Sequence, residues 1–253
     1  MTDLSTSIPL YWWRDEPNFG DSLSPWLIEQ LLGISAQWSN ARHKLVGLGS
    51  VLWASEPGDT VWGTGVHPLS ELRAPDWSPT GVTFLAVRGP LTRAYILERG
   101  GACPELYGDP GELLPDFHVP SSDVAHAGIG IIPHIYDKTG RRFAESVPGA
   151  RIIDPSRPWP NVVDEIAACS LIWSSSLHGL IVAEAFGIPA VWTSCSEGAI
   201  KYQDYYWATG RTDVHPVSWE AAAKASPPAL PERRPLESHP LVQSIRDWWN
   251  GNP

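Results

Sequence analysis

Apolar positions along this chain fall in short runs that alternate with stretches of helical period. In the first half IPLYWW, KLVGLG, TVWGTG and VTFLAVRG read as strands, and SLSPWLIEQLLG and PLTRAYILERGG as helices. The helix expected over 90 to 99 has proline at its first position and a Gly-Gly stop, the usual asymmetry of helix ends. The alternation then restarts, with AGIGIIPH, ARIIDP, SLIWSS and PAVWTS as strands and RRFAESVPG, NVVDEIAAC and LHGLIVAEAFG as helices. Strand then helix, repeated, predicts parallel sheets faced by helices. Two such series predict an α/β protein of two Rossmann-like, doubly wound domains facing a cleft. The stretch between them, residues 108 to 128, is rich in Pro, Gly, Ser and Asp and reads as the linker. The expected domains are 1–115 and 116–236, followed in 237–253 by an amphipathic helix that packs back on the first domain.

One run carries the strongest chemical signal. In SSSLHGLIVAEAFGIPAVW, 174 to 192, a strand ends, a histidine stands at the mouth of a buried helix, and a second strand follows. That puts His178 beyond the carboxyl end of a strand, beside unpaired backbone N–H groups and the positive end of a helix dipole, where an anion is held. A capping role for a core helix is the plain alternative. In PNFGDSLSPW, Asn18, Gly20 and Asp21 occupy another strand-to-helix turn, so Asp21 or Ser22 is either the cap or, for Asp21, a carboxylate facing the same crevice. Arg88 ends an apolar strand and is expected in the crevice as its first cation. His134 stands at the corresponding strand end of the second half, with Asp137 three residues on. Lys201, Asp204, Tyr205 and Arg211 crowd a short polar and aromatic stretch, which by itself reads as a solvated face.

Composition narrows the choices. With 28 acidic and 18 basic residues the formal charge is −10, which argues against nucleic acid and leaves an anionic substrate dependent on a few placed cations. Three widely spaced cysteines without a CxxC pair suit a reducing cytoplasm, and no stretch approaches a membrane span. The eight histidines form no ligand-spaced pair, so no metal is expected. Among 14 tryptophans, Trp62, Trp173 and Trp192 lie in apolar runs and read as core. Trp12, Trp13, Trp53, Trp77 and Trp207 lie nearer loops and offer flat faces for a sugar, none of them singled out.

In order, NFGD, GLGSVL, VWGTG, VRGPLTR, YGDPGELLP, GIIPHIYD, SSSLHGLIVAEAFGIPAVW and KYQDYYWATGR resemble the polysaccharide pyruvyl transferases, in particular their bacterial exopolysaccharide branch, from about residue 11 to about 211. The resemblance implies a GT-B-like fold with an acceptor-side first domain and a donor-side second domain. It implies phosphoenolpyruvate as donor, a sugar acceptor on a lipid-linked repeat unit, a pyruvate ketal as product, and no cofactor. In more distant branches the histidine motif reads Arg-x-His; here Ser176 stands in the arginine's place. On this reading His178 is the acid or a phosphate-stabilising imidazolium, Asp21 the base, and His134 a competitor for either role. Arg88, Ser176, Lys201 and Arg211 hold the donor, and Asn18 and Tyr205 the acceptor. The location expected is cytoplasmic, with peripheral attachment to the inner membrane face as a variant. A GT-B glycosyltransferase using a nucleotide sugar and an inactive carbohydrate-binding homologue are the alternatives.

Overall fold

The alternation of the sequence builds two parallel sheets, one from each half of the chain, in a computed structural model that describes residues 7–121, 128–194 and 198–251. The first sheet contains β1 (Ser7–Tyr11), β2 (Ser35–Trp38), β3 (Leu45–Val46), β4 (Thr60–Trp62) and β5 (Thr83–Ala86), in the order β2-β1-β3-β4-β5. The second contains β6 (Ile129–Ile132), β7 (Arg151–Ile152), β8 (Leu171–Ser174) and β9 (Ala190–Trp192), in the order β7-β6-β8-β9. All strand pairs are parallel. Only β2, a half-exposed edge strand with sequence SAQW, escapes the pattern of apolar runs.

The helices are α1 (Phe19–Leu32), α2 (Ser70–Arg73), α3 (Pro90–Glu98), α4 (Lys138–Ser146), α5 (Trp159–Ala167), α6 (Leu177–Ala185), α7 (Ile200–Ala208) and α8 (Pro240–Gly251). All nine residues of α6 are buried, as an apolar sequence without a polar face requires. One apolar cluster runs through both halves, joining Phe19, Leu23 and Leu27 of α1 to Ile132, Val162, Leu180 and Ile181. The halves therefore share a core. Part of the supposed linker belongs to it: Pro110, Gly111, Leu113 and Leu114 lie buried in a short 3-10 helix, Pro110–Asp116, capped by Asp109 through Gly111 N at 2.9 Å. Composition misleads here because Pro and Gly also suit a tight buried turn. Residues 122–127 of the same stretch lie outside the described residues.

Helix α8 packs against the first sheet. Leu241, Val242 and Ile245 join Ile8, Leu10, Leu45 and Trp62, and the Trp62 indole donates to Leu241 O at 3.0 Å. Trp173 and Trp192 are buried in the second half. Among the described residues no helix is long and apolar enough to cross a membrane.

Candidate functional site

In each sheet the strand order reverses once, between β1 and β3 in the first and between β6 and β8 in the second. Open parallel sheets leave a crevice at such a point, because the two connecting helices depart to opposite faces. Loops from both crevices line a single cleft. Trp13, Asn18, Asp21 and Ser50 come from the first sheet's side, and His134, Tyr136, Ser176 and His178 from the second's, with Lys201 of α7.

On the first side, Asn18 is the cap of α1: its side chain accepts from Gly20 N at 3.0 Å. The expectation that Asp21 or Ser22 caps is thereby corrected, and Asp21 is left for the cleft. Its carboxyl is pushed up to about 7, chiefly by burial, with Lys201 opposing, Asp109 reinforcing and Arg73 opposing. Gly49, at φ 112°, leaves the room that Asp21 occupies, since a Cβ there would stand 2.6 Å from its Oδ1.

On the second side, Ser176 caps α6, accepting from Gly179 N. His178 lies in the first turn of the helix and packs against Gly20, where any Cβ would overlap Nδ1. The glycine of NFGD is what lets the two helix N-termini meet. His178 is 7% exposed, open to the cleft but otherwise enclosed. Burial, then the charges of Arg88, Lys201 and His134, pull its pKa down to about 3, which favours the neutral imidazole. Its Nε2 is 3.8 Å from Asp109 Oδ2, and both atoms are buried without a hydrogen-bond partner. His134 Nε2 is 3.4 Å from Lys201 Nζ, and its backbone N–H donates to Ser175 Oγ at 2.9 Å.

The structure thus gathers Asp21, Asn18, His134, Ser176, His178 and Lys201 at one place. Three other candidates are not brought there. Arg88 is fully buried behind the cleft: Nε pairs with Asp204 at 3.2 Å, NH2 donates to Val66 O, and NH1 donates to Ser50 Oγ at 2.8 Å. A strand end delivers it inward, and it reaches the cleft only through Ser50. Arg211 is taken by a bidentate pair with Glu184, and Tyr205 donates to the same carboxylate at 2.7 Å. Tyr205 borders a different cavity, shared with Glu112 and Glu184. Most of the segment read as a polar stretch is helix α7, with Lys201 in its first turn and Arg211 beyond its C-terminal end. Asp137 caps α4 and accepts from Ser175 and Trp219.

Sequence reasoning passed over Asp109, Ser50, Glu16, Arg73 and Tyr136. Asp109 lay in plain view in YGDPGELLP, but its Pro-Gly neighbours marked it as linker. Nothing in the one-dimensional pattern brings Arg73, at the end of a four-residue helix, beside Asp21.

The chain is similar to known proteins along most of its length. The family model described as polysaccharide pyruvyl transferase matches residues 51–197. The succinoglycan biosynthesis protein ExoV of Rhizobium meliloti (strain 1021) is 35% identical over 85% of this chain and 70% of its own length. An uncharacterized protein, L143, of Acanthamoeba polyphaga mimivirus is 25% identical over 78% of this chain and 73% of its own. Among solved structures, a functionally uncharacterized Klebsiella pneumoniae protein aligns over 79% of this chain and 87% of its own at 11% identity and a TM-score of 0.48.

Proposed function

The chain belongs to the polysaccharide pyruvyl transferase family, and from that premise we propose that its cleft moves a pyruvyl group from phosphoenolpyruvate to two hydroxyls of one sugar, forming a cyclic ketal with release of phosphate. The carrying observation is the convergence, at two facing strand-order reversals, of a cation, two imidazoles, a capped helix N-terminus and a carboxyl titrating near neutrality. By analogy with ExoV's name, the acceptor is a growing exopolysaccharide, and we extend the reading to a lipid-linked repeat unit met at the cytoplasmic membrane face. In the same reading the two sheets act as the lobes of a GT-B-like pair.

The donor carries a carboxylate and a phosphate of about −1.5 to −2 charge. Lys201, the N–H groups of α6 and His134 suit these groups. A ligand of that charge raises the pKa of His178 from its depressed value, since a neighbouring anion favours the imidazolium. His178 then protonates the methylene carbon while Asp21 takes the proton of the attacking hydroxyl, a carboxyl near pH 7 being well matched to a general base. The first sugar oxygen bonds to the neighbouring carbon, the bond from that carbon to the phosphate oxygen breaks, and the second hydroxyl closes the ring. Of the two hydroxyl protons, one ends in the new methyl group and one on phosphate.

Thermal shift with phosphoenolpyruvate against UDP- and GDP-sugars tests the donor, because a ligand selective for the native state raises the melting temperature. Phosphate release that depends on added saccharide tests the transfer. Stabilisation by a nucleotide sugar and not by phosphoenolpyruvate would overturn the proposal in favour of a glycosyltransferase.

A further inference from the structure

We propose that the outer part of the cleft, built by Trp13, Glu16 and Arg73, is a carbohydrate subsite that holds a pyranose ring of the acceptor. The proposal rests on the pyruvyl-transfer reading for its role, though not for its existence. All three side chains line the cleft that holds Asp21 and His178. Trp13 lies in the loop that leaves β1, where it meets Trp53 edge-to-face at 6.2 Å. The Arg73 guanidinium lies 4.6 Å from the Trp13 ring centre and 5.3 Å from that of Trp53, so it is held against an aromatic wall and not left loose in solvent.

Glu16 supplies the observation that points to a ligand. Its Oε2 is buried and has no hydrogen-bond partner, although the residue lines an open cleft. A buried carboxylate oxygen without a donor is costly, so its place in the wall is explained by a ligand that donates. A pyranose has the complementary surface. Its C–H face packs on an indole, and its hydroxyls donate to a carboxylate and accept from a guanidinium. Glu16 and Arg73 together bring no net charge. This end of the cleft therefore favours a neutral polyol, whereas the end with Lys201 and His134 favours an anion. Tyr136, half exposed on the opposite wall, adds a second aromatic surface. The charges of both Lys201 and Arg73 act on Asp21, which stands within reach of both ends.

Saturation-transfer NMR with lactose and cellobiose at millimolar concentration, with phosphoenolpyruvate present, tests the subsite. The wild-type protein is expected to pass saturation to the sugar ring protons of at least one disaccharide. Trp13→Ala and Glu16→Gln should each cut the transfer by about fivefold or more, the loss expected for roughly 1 kcal/mol of contact. If Trp13→Ala fails to fold, Glu16→Gln, nearly identical in shape, decides. No transfer to either sugar in the wild type, or full transfer in a folded variant, would overturn the subsite. Sugar transfer without a melting shift by phosphoenolpyruvate would sink the function proposed above while leaving this subsite standing.

Discussion

Asp21 shows how a residue's surroundings set its chemistry. Its carboxyl moves from 3.8 to about 7 on folding, so the native state binds this proton more tightly than the unfolded chain does. The sign follows: holding the charged form costs stability above pH 7, and the penalty fades as pH falls towards 4. Asp21→Asn removes the charge and keeps the shape. The variant is expected to be more stable than wild type at pH 8, by on the order of 4 kcal/mol, with the gap nearly closed at pH 4. Denaturant titrations at the two pH values measure this, and a gap independent of pH would show that the carboxyl is not buried as a charge. Arg88 illustrates the opposite outcome. It is paired with Asp204 and engaged at all three nitrogens, so it shapes the field around His178 from behind the cleft.

Among the elements, α3 depends on a cap that its own sequence lacks. Gly89 stands at the cap position without a side chain, and Asp204 of α7 fills the role from the other half of the chain. Its Oδ1 accepts from Leu91 N at 2.9 Å and Thr92 N at 3.0 Å, and its Oδ2 accepts from Thr92 Oγ1 and Arg88. Asp204→Ala would uncap α3 and leave the Arg88 charge buried without its partner. A loss of about 3–5 kcal/mol is expected, read from the urea midpoint. A loss below about 1 kcal/mol would mean that the contact adds little. The same bond brings α7 to the first half, and with it Lys201 to the cleft.

For the molecule as a whole, the shared cluster of α1, the 3-10 helix at Pro110–Asp116 and α6 makes the two sheets interdependent. One cooperative unfolding transition is expected, with far-UV circular dichroism and tryptophan fluorescence coinciding. Two separated transitions would contradict the common core. Helix α8 contributes as well, because Leu241, Val242 and Ile245 from the chain's far end join Ile28 and Leu31 of α1 against the first sheet.

The sequence alone determined the parallel α/β class and most of its elements, because strand and helix periods are local: the eight strand patterns and six helix patterns all recur in the structure, while β2, α2 and α7 lay outside them. It also brought out His178, Asp21 and His134, since strand-to-helix turns in parallel sheets all point to the same edge. What it could not determine was which charges are spent. Arg88 and Arg211 read in the sequence as cations for a ligand, yet partners far away in the chain, Asp204 and Glu184, claim both. The neutral state of His178 and the near-neutral titration of Asp21 were equally out of reach, because both follow from burial between two halves of the chain. Contacts between residues remote in sequence exist only once the chain has folded, and in this protein those contacts decide which side chains remain for chemistry.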